Sequence, residues 1–360
     1  MEVKEQNPIW LNESHPNYLR WKRARDLSVA RGRFVESIIN QKVTTKNLSV
    51  LDLGSGEGGT AKVFSENNFV VSFDLSLVRL QRQKLTVISA EVIPLEAVEF
   101  KYAKTSHRAK SRWKFIKKCS SSSPLRLTYV NFQTGSEERE LYTPEKSTSN
   151  IVEDFSLADS FEMTSIKYIN GDALHLPFSN HSFDLIIIQD VIEHLIDTDD
   201  FYSEIKRVLK PNGTIYLSTP NKFSIFNFLS DPHFGLPIIS ILKRESIKNY
   251  FLKYFRKGDY NRTDIAQLLS LNDLETIFKN DFKITLQTKF SVQELFKGNK
   301  GIVWSSFHLK LIGFCKSIKI DRLINKVAND KIGIINKYFT PTFYIILRTK
   351  YESFRRKVPA

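Results

Sequence analysis

The stretch Val50-Leu51-Asp52-Leu53-Gly54-Ser55-Gly56-Glu57-Gly58-Gly59 constrains the fold more than any other part of the chain. An apolar run, Leu48 to Leu53, reads as a short buried strand. It ends in four glycines within six positions, and a helical pattern follows from Thr60. Glycine permits a sharp turn and lets a ligand approach bare backbone, while the first turn of a helix offers unpaired N–H groups. The segment reads as a nucleotide-cofactor loop.

The glycines alone fit two cofactors. Gly54, Gly56 and Gly59 satisfy the G-x-G-x-x-G of dinucleotide binders, and Gly54, Gly56 and Gly58 the G-x-G-x-G of S-adenosylmethionine enzymes. Asp52 separates the two. A carboxylate two residues before the first glycine would repel a pyrophosphate and would suit a ligand carrying an ammonium and a sulfonium.

The 360 residues can bury a full core, and 41% hydrophobic content is that of a globular protein. Met1 to Pro8 is polar and mixed in charge, which argues against a signal peptide. No uncharged apolar run of about 18 residues supports a spanning helix. Cys119 and Cys315 are far apart and lack metal-ligand spacing, as expected in a reducing cytoplasm. The expected location is therefore cytoplasmic, with peripheral association at the inner membrane face as an extension. The net charge of +14 favours anionic surroundings: nucleic acid, anionic lipid or an acidic substrate. A lysine-rich solvated surface is the plainer explanation.

Along the chain, residues 1–47 read as an N-terminal helical cap with a helix from about Leu27 to Ile39. A second strand, Phe69 to Phe73, ends at Asp74, and a helix follows over Leu77 to Leu85. More than ninety residues separate Asp74 from the strand Ile166–Ile169, far more than a crossover needs. Residues of about 91–160 are therefore expected to form an insertion. Its first half holds eight Lys/Arg from Lys101 to Lys118 and no acid, with Tyr102, Trp113 and Phe115 interleaved. Its second half carries a candidate hairpin around Leu127–Phe132 and Glu140–Tyr142, and Ser120–Ser123 and Thr143–Asn150 read as joints. The alternation resumes with a strand at Phe183–Ile188, helices at Val191–Ile196 and Asp200–Leu209, a turn at Pro211-Asn212-Gly213 and a strand at Thr214–Ser218. A helix at Ile265–Phe278 and strands at Phe282–Leu286 and Phe343–Leu347 follow. This order implies an α/β fold with a doubly wound, mostly parallel sheet. The main domain is 48–350, with an acceptor lid over about 222–260 and a basic tail at 351–360.

Five blocks in order give a resemblance. They are Leu51–Gly58; Asp74; Gly171-Asp172-Ala173-Leu174-His175-Leu176-Pro177-Phe178; Phe183 through Gln189-Asp190-Val191-Ile192-Glu193-His194-Leu195; and Leu209-Lys210-Pro211-Asn212-Gly213-Thr214 running to Thr219-Pro220-Asn221. On these the chain resembles the class I S-adenosylmethionine-dependent methyltransferases, in particular the methyltransferase-domain enzymes of the quinone and sugar type. The resemblance covers roughly 45–80 and 165–221. It implies a Rossmann-like seven-stranded sheet with an antiparallel last strand, and S-adenosylmethionine as cofactor. Asp74 is expected to accept both ribose hydroxyls, Asp172 the adenine amine, and Ala173 to give a backbone N–H. The loop Gly54–Gly58, with Asp52, would hold the methionyl part, and Gln189, Asp190 and Val191 sit where ligands bind in open α/β sheets.

Methyl transfer needs little from the protein beyond alignment and shelter from water, although an oxygen acceptor benefits from a base. Asp190, Glu193 and His194 have i, i+3, i+4 spacing, but a helix-start acid cluster accounts for the carboxylates, and no metal is expected. His175 reads as a loop residue near adenine. The segment from Lys222 to Pro237 is dense in aromatics, holds Asp231-Pro232-His233, and suits a sugar-stacking or lipid-facing lid. His233 is the expected base and His194 its rival. The expected activity is O-methylation of a sugar or lipid-linked glycan precursor. An RNA methyltransferase using the basic insertion and a non-catalytic binding module are the alternatives.

Overall fold

The computed structural model describes residues 12–15, 18–86, 166–262, 264–302 and 306–350, with short strands between 92 and 141. The basic tail, Cys119, Trp10 and both joints of the insertion lie outside the described residues. Helices α1 (Tyr18–Asp26) and α2 (Ser28–Ile39) precede β1 (Ser49–Leu53), α3 (Gly59–Phe64), β2 (Phe69–Asp74) and α4 (Leu77–Thr86). Short strands β3 (Val92–Ile93), β4 (Glu99–Lys101), β5 (Trp113–Ile116), β6 (Arg126–Asn131) and β7 (Ser136–Leu141) follow. Then come β8 (Ile166–Asn170), β9 (Phe183–Gln189), α5 (Thr198–Val208), β10 (Leu209–Pro220) and α6 (Ile225–Leu229). Next are α7 (Arg244–Ser246), α8 (Lys253–Phe255), α9 (Leu271–Phe278), β11 (Phe282–Leu286) and α10 (Thr288–Lys297). The last elements are α11 (Ser306–Ser317), α12 (Ile320–Val327), α13 (Ile334–Tyr338) and β12 (Thr342–Thr349).

The central sheet runs β11-β12-β10-β9-β1-β2-β8-β3. Its pairings are parallel except at β12, which lies antiparallel between β10 and β11. The expected seven strands with an antiparallel last strand are present, and the two-residue β3 extends the edge beside β8. Strands β4 to β7 form a separate antiparallel sheet in chain order, so the candidate hairpin pairs as β6 with β7.

Every residue of β1 and β2 is buried, as the centre of a parallel sheet covered on both faces requires. One face packs Leu51, Leu53 and Phe73 with Phe201 and Ile205 of α5 and Phe278 of α9. The other packs Val50, Val70 and Ile187 with Phe34 and Ile38 of α2 and Phe64 of α3. Successive strand residues thus feed opposite layers, which is the doubly wound arrangement.

Four local expectations are corrected. The helix expected from Ile265 starts at Leu271, because Ser270 and Asp273 form a reciprocal capping box and the chain before it is extended, bridging Leu269 to Asn221. The helix expected at Val191–Ile196 is one turn, Ile192–His194, ended by extended backbone at Leu195. The turn at Pro211–Gly213 is absorbed into β10 as a register shift between Leu209 and Thr214. Helix α5 begins earlier than expected because Asp197 caps it, accepting from the N–H groups of Asp199 and Asp200.

Gly32 and Gly59 let α2 and α3 meet backbone to backbone. A Cβ on Gly59 would lie 2.2 Å from the Ser28 carbonyl carbon, and one on Gly32 2.8 Å from the Gly59 carbonyl oxygen. Gly59 therefore serves packing, while the other three loop glycines serve backbone conformation. Gly59→Val should lower unfolding free energy by about 1–3 kcal/mol in urea titrations. Gly258→Ala, with open space around it, should change it by less than about 0.5 kcal/mol. Equal effects at the two positions would contradict this packing.

Candidate functional site

The loop between β1 and α3 bends through positive φ at Gly54 (70°), Gly56 (56°) and Gly58 (74°). These values favour glycine, and at Gly54 a Cβ would also strike Val191 at 2.3 Å. The loop is held from beneath. Gly54 and Ser55 donate backbone N–H to the Phe73 carbonyl. Asp74 accepts from the Gly56 N–H through Oδ2 and from the Ser76 N–H through Oδ1, each at 2.8 Å. Gln83 of α4 donates from Nε2 to the Gly56 carbonyl at 2.8 Å and to Ser55 Oγ at 3.0 Å, and accepts from Ser72 Oγ at 2.7 Å. Gln83 is a support that the sequence reading missed; its place on α4 facing the loop emerges only in the fold.

Beneath this loop Asp52 is 1% exposed. Its carboxylate accepts from the Ala61 N–H, while Oδ2 is buried without a hydrogen-bond partner. Burial pushes its pKa up to about 7; Asp74 adds to the rise and Arg31 opposes it. A buried orphan carboxylate oxygen under a glycine cradle fits a cationic ligand and is a poor setting for a pyrophosphate.

The carboxyl end of β8 meets that of β2. Asn170 Nδ2 donates to the carbonyls of Asp74 and Leu75, and the Gly171 N–H donates to the Asp74 carbonyl. Asp74 and the Asp172 turn thus lie on one rim. Asp172 Oδ1 accepts from the Leu174 N–H at 3.0 Å, Ala173 packs against the core, and the His175 N–H donates to the Asp172 carbonyl. At the end of β9, Gln189 Nε2 donates to Thr60 Oγ1 at 2.7 Å, leaving Oε1 buried and unbonded. Asp190 follows at φ 52° and pairs with Arg31 of α2. Burial works against the Arg31 charge, but Asp190 more than reverses this, and the guanidinium pKa stands above the usual arginine value.

A second cluster forms between the end of β9 and the segment 222–260. Glu193 is buried; its Oε2 accepts from Thr219 Oγ1 at 2.9 Å, and its Oε1 lies 3.9 Å from His233 Nε2. The His194 and His233 rings meet edge to face, centroids 5.1 Å apart. His194 Nδ1 lies 2.9 Å from the Asp264 carbonyl, a contact that assigns the proton to Nδ1 and leaves Nε2 as an acceptor. Burial lowers the His194 pKa. Burial and then Asp190 push Glu193 up to about 8. Asp190, Glu193 and His194 do not form the helix face that their spacing suggested, since the segment is one tight turn and Asp190 faces Arg31. Glu193, His194 and His233 do converge, with ligand atoms within 4.8 Å of one another, a donor set able to take a divalent cation.

The segment 222–260 is pinned at several points. Arg244 donates to the carbonyls of Ile265, Glu193 and Leu195. Asp231 Oδ1 accepts from the His233 N–H at 2.7 Å and the Phe234 N–H at 2.8 Å, which sets the turn that presents His233. Nothing in the sequence pattern marked Arg31 or Arg244, since each acts across a long separation in the chain.

The methyltransferase domain family matches residues 145–217. The demethylmenaquinone methyltransferase of Lactobacillus johnsonii is 42% identical over 50 residues, 14% of this chain and 20% of that protein. The ubiquinone biosynthesis O-methyltransferase of Bartonella bacilliformis is 29% identical over 119 residues, 31% of this chain and 42% of that protein. The chain thus spans less than half the length of these curated relatives. Among solved structures, the S-adenosylmethionine-dependent methyltransferase of Mesorhizobium loti has a TM-score of 0.43 at 12% identity, covering 87% of this chain and 96% of that one. The matched methyltransferase domain spans β8 and β9 and most of β10, and the strand order with its antiparallel last strand is the one that the resemblance to class I S-adenosylmethionine-dependent methyltransferases implies.

The buried Asp52 has a stability consequence. Its folded pKa is raised, so the native state holds this proton longer than the unfolded chain does. The contribution is full below about pH 4 and is lost as pH rises through about 7. Asp52→Asn should remove that loss, gaining on the order of 2–4 kcal/mol relative to wild type between about pH 4 and pH 8. Parallel stability-versus-pH curves from urea unfolding would contradict the raised value.

Proposed function

We propose that this chain transfers a methyl group from S-adenosylmethionine to a hydroxyl on an amphiphilic acceptor. The observation that carries the reading is the orphan carboxylate oxygen of Asp52 beneath the glycine loop, on the rim that Asp74 and Asp172 share. When bound there, S-adenosylmethionine supplies an electrophilic methyl on a positively charged sulfur. Asp52 and the loop Gly54–Gly58 take the methionyl end, Asp74 the ribose hydroxyls, and Asp172 with the Ala173 N–H the adenine. Gln189 Oε1, buried and unbonded at the end of β9, offers a further acceptor at the same sheet edge.

The acceptor side is the lid. His233 takes the hydroxyl proton as the acceptor oxygen attacks, and buried Glu193 beside it favours the resulting imidazolium once ionised. His194 backs His233 edge to face and is tied to the Asp264 carbonyl. Exposed Phe223, Ile225, Phe226 and Leu229 give the lid a lipophilic surface. The two relatives compared above carry quinone-pathway names, which favours a prenylated phenol over a sugar; a lipid-linked glycan precursor remains the amphiphilic form of the sugar reading.

Two measurements test this. Asp74→Ala should weaken S-adenosylhomocysteine binding by about 1.5–3 kcal/mol in calorimetry, through lost ribose hydrogen bonds. With an acceptor in hand, His233→Ala should lower turnover about 10²–10⁴-fold without changing cofactor affinity, and His194→Ala should lower it less. Turnover that survives His233→Ala across pH 6–9 removes the base. Turnover abolished by a chelator and restored by a divalent cation would instead assign Glu193, His194 and His233 to a metal. Methyl incorporation into co-purified RNA, and none into lipid extracts, would support the nucleic-acid alternative.

A further inference from the structure

Helix α12 is exceptional among the described elements. Its apolar residues Ile320, Leu323, Ile324 and Val327 fall at i, i+3, i+4 and i+7, the stripe that a surface helix normally buries. Here no residue of the helix is buried, and Leu323 is 59% exposed. A helix this short gains its stability from packing such a face, so an open stripe marks a missing partner. The flanking segments also expose apolar side chains: Phe314 of α11 is 60% exposed, and Ile318 before α12 and Ile334 of α13 are exposed as well.

Charge selects the partner. Residues 306–339 hold seven Lys/Arg and two acids, Asp321 and Asp330. A second copy of this chain would meet the stripe with the same positive surface, which repels. Apolar tips interleaved with lysines match the surface of an anionic bilayer, where the tips enter the acyl boundary and the lysines meet phosphates.

We propose that α11, α12 and α13 form a docking face for an anionic lipid bilayer. The face is joined to the lid. Asn221, at the lid's start, donates from Nδ2 to the carbonyls of Asn336, Lys337 and Thr340, and Asn227 Nδ2 donates to the Pro341 carbonyl at 2.7 Å. The proposed face is thus tied to the segment that carries the exposed apolar residues Phe223, Phe226 and Leu229. The docking itself does not depend on the methyl-transfer reading; only its value for capturing a lipophilic acceptor does.

The test is co-sedimentation of the full chain with vesicles of one part phosphatidylglycerol to three parts phosphatidylcholine, against phosphatidylcholine alone. Binding is expected to the anionic vesicles only and to weaken with salt. The double variant Phe314→Asp/Leu323→Asp should lose at least about tenfold in partitioning, with unchanged thermal unfolding and circular dichroism. Lys319→Glu/Lys326→Glu, which leaves the stripe intact, should lose binding as well. No binding by the native chain overturns the proposal. So does full binding by the Phe314/Leu323 variant, which would reduce the effect to bulk charge. A native dimer that the same variant turns into monomer would assign the stripe to a second copy and also overturn it.

Discussion

The ion pair between Arg31 and Asp190 is the contact on which the arrangement of the site turns. It joins the N-terminal helix layer to the carboxyl end of β9, across 159 residues of chain. Asp190 sits there with its backbone at positive φ, a conformation that costs energy in a non-glycine residue and persists only where surroundings over-determine it. Three contacts hold it: the guanidinium, the Ser218 hydroxyl at Oδ1, and its own N–H donating to the Ser218 carbonyl. With Asp190 turned toward Arg31, the next turn carries Glu193 inward and His194 toward the lid. The Gly32–Gly59 contact then sets α2 close enough to α3 for Arg31 to reach.

Two buried carboxyl groups carry the functional argument. Asp52 and Glu193 both lie where burial disfavours their charge, and both keep one oxygen without a hydrogen bond. Such groups are costly in a folded protein unless something offsets them. In the proposed function the offset beneath the loop is a cationic ligand, and beside His233 an imidazolium that forms when the histidine takes a proton. Perturbed groups of this kind collect at working sites, and here both lie near the carboxyl ends of the central strands β1 and β9.

The sheet was largely legible in advance because its strands are apolar runs bounded by glycines and acids. Leu48–Leu53 with its glycines, and the Asp74 and Asp172 strand ends, mark the proposed cofactor side by position in the chain. The acceptor side was legible only as candidates. His233 and His194 are 39 residues apart and no periodicity links them; Asp231 and Arg244 bring them together through backbone contacts that a sequence does not display. Local misreadings have the same origin. Ile265–Leu269 has helical composition, yet pairing at Leu269 and the Ser270 cap override it. The spacing of Asp190, Glu193 and His194 assumed a regular helix that the turn at Ile192 does not supply.

The central claim is that the crevice takes S-adenosylmethionine and rejects a dinucleotide because a buried carboxylate lies under the glycine loop. The most direct measurement is calorimetric titration of the full chain with S-adenosylhomocysteine and with NAD under identical conditions. The account predicts saturable binding of S-adenosylhomocysteine, lost in Asp52→Ala, and none of NAD. Binding of NAD without S-adenosylhomocysteine would contradict it.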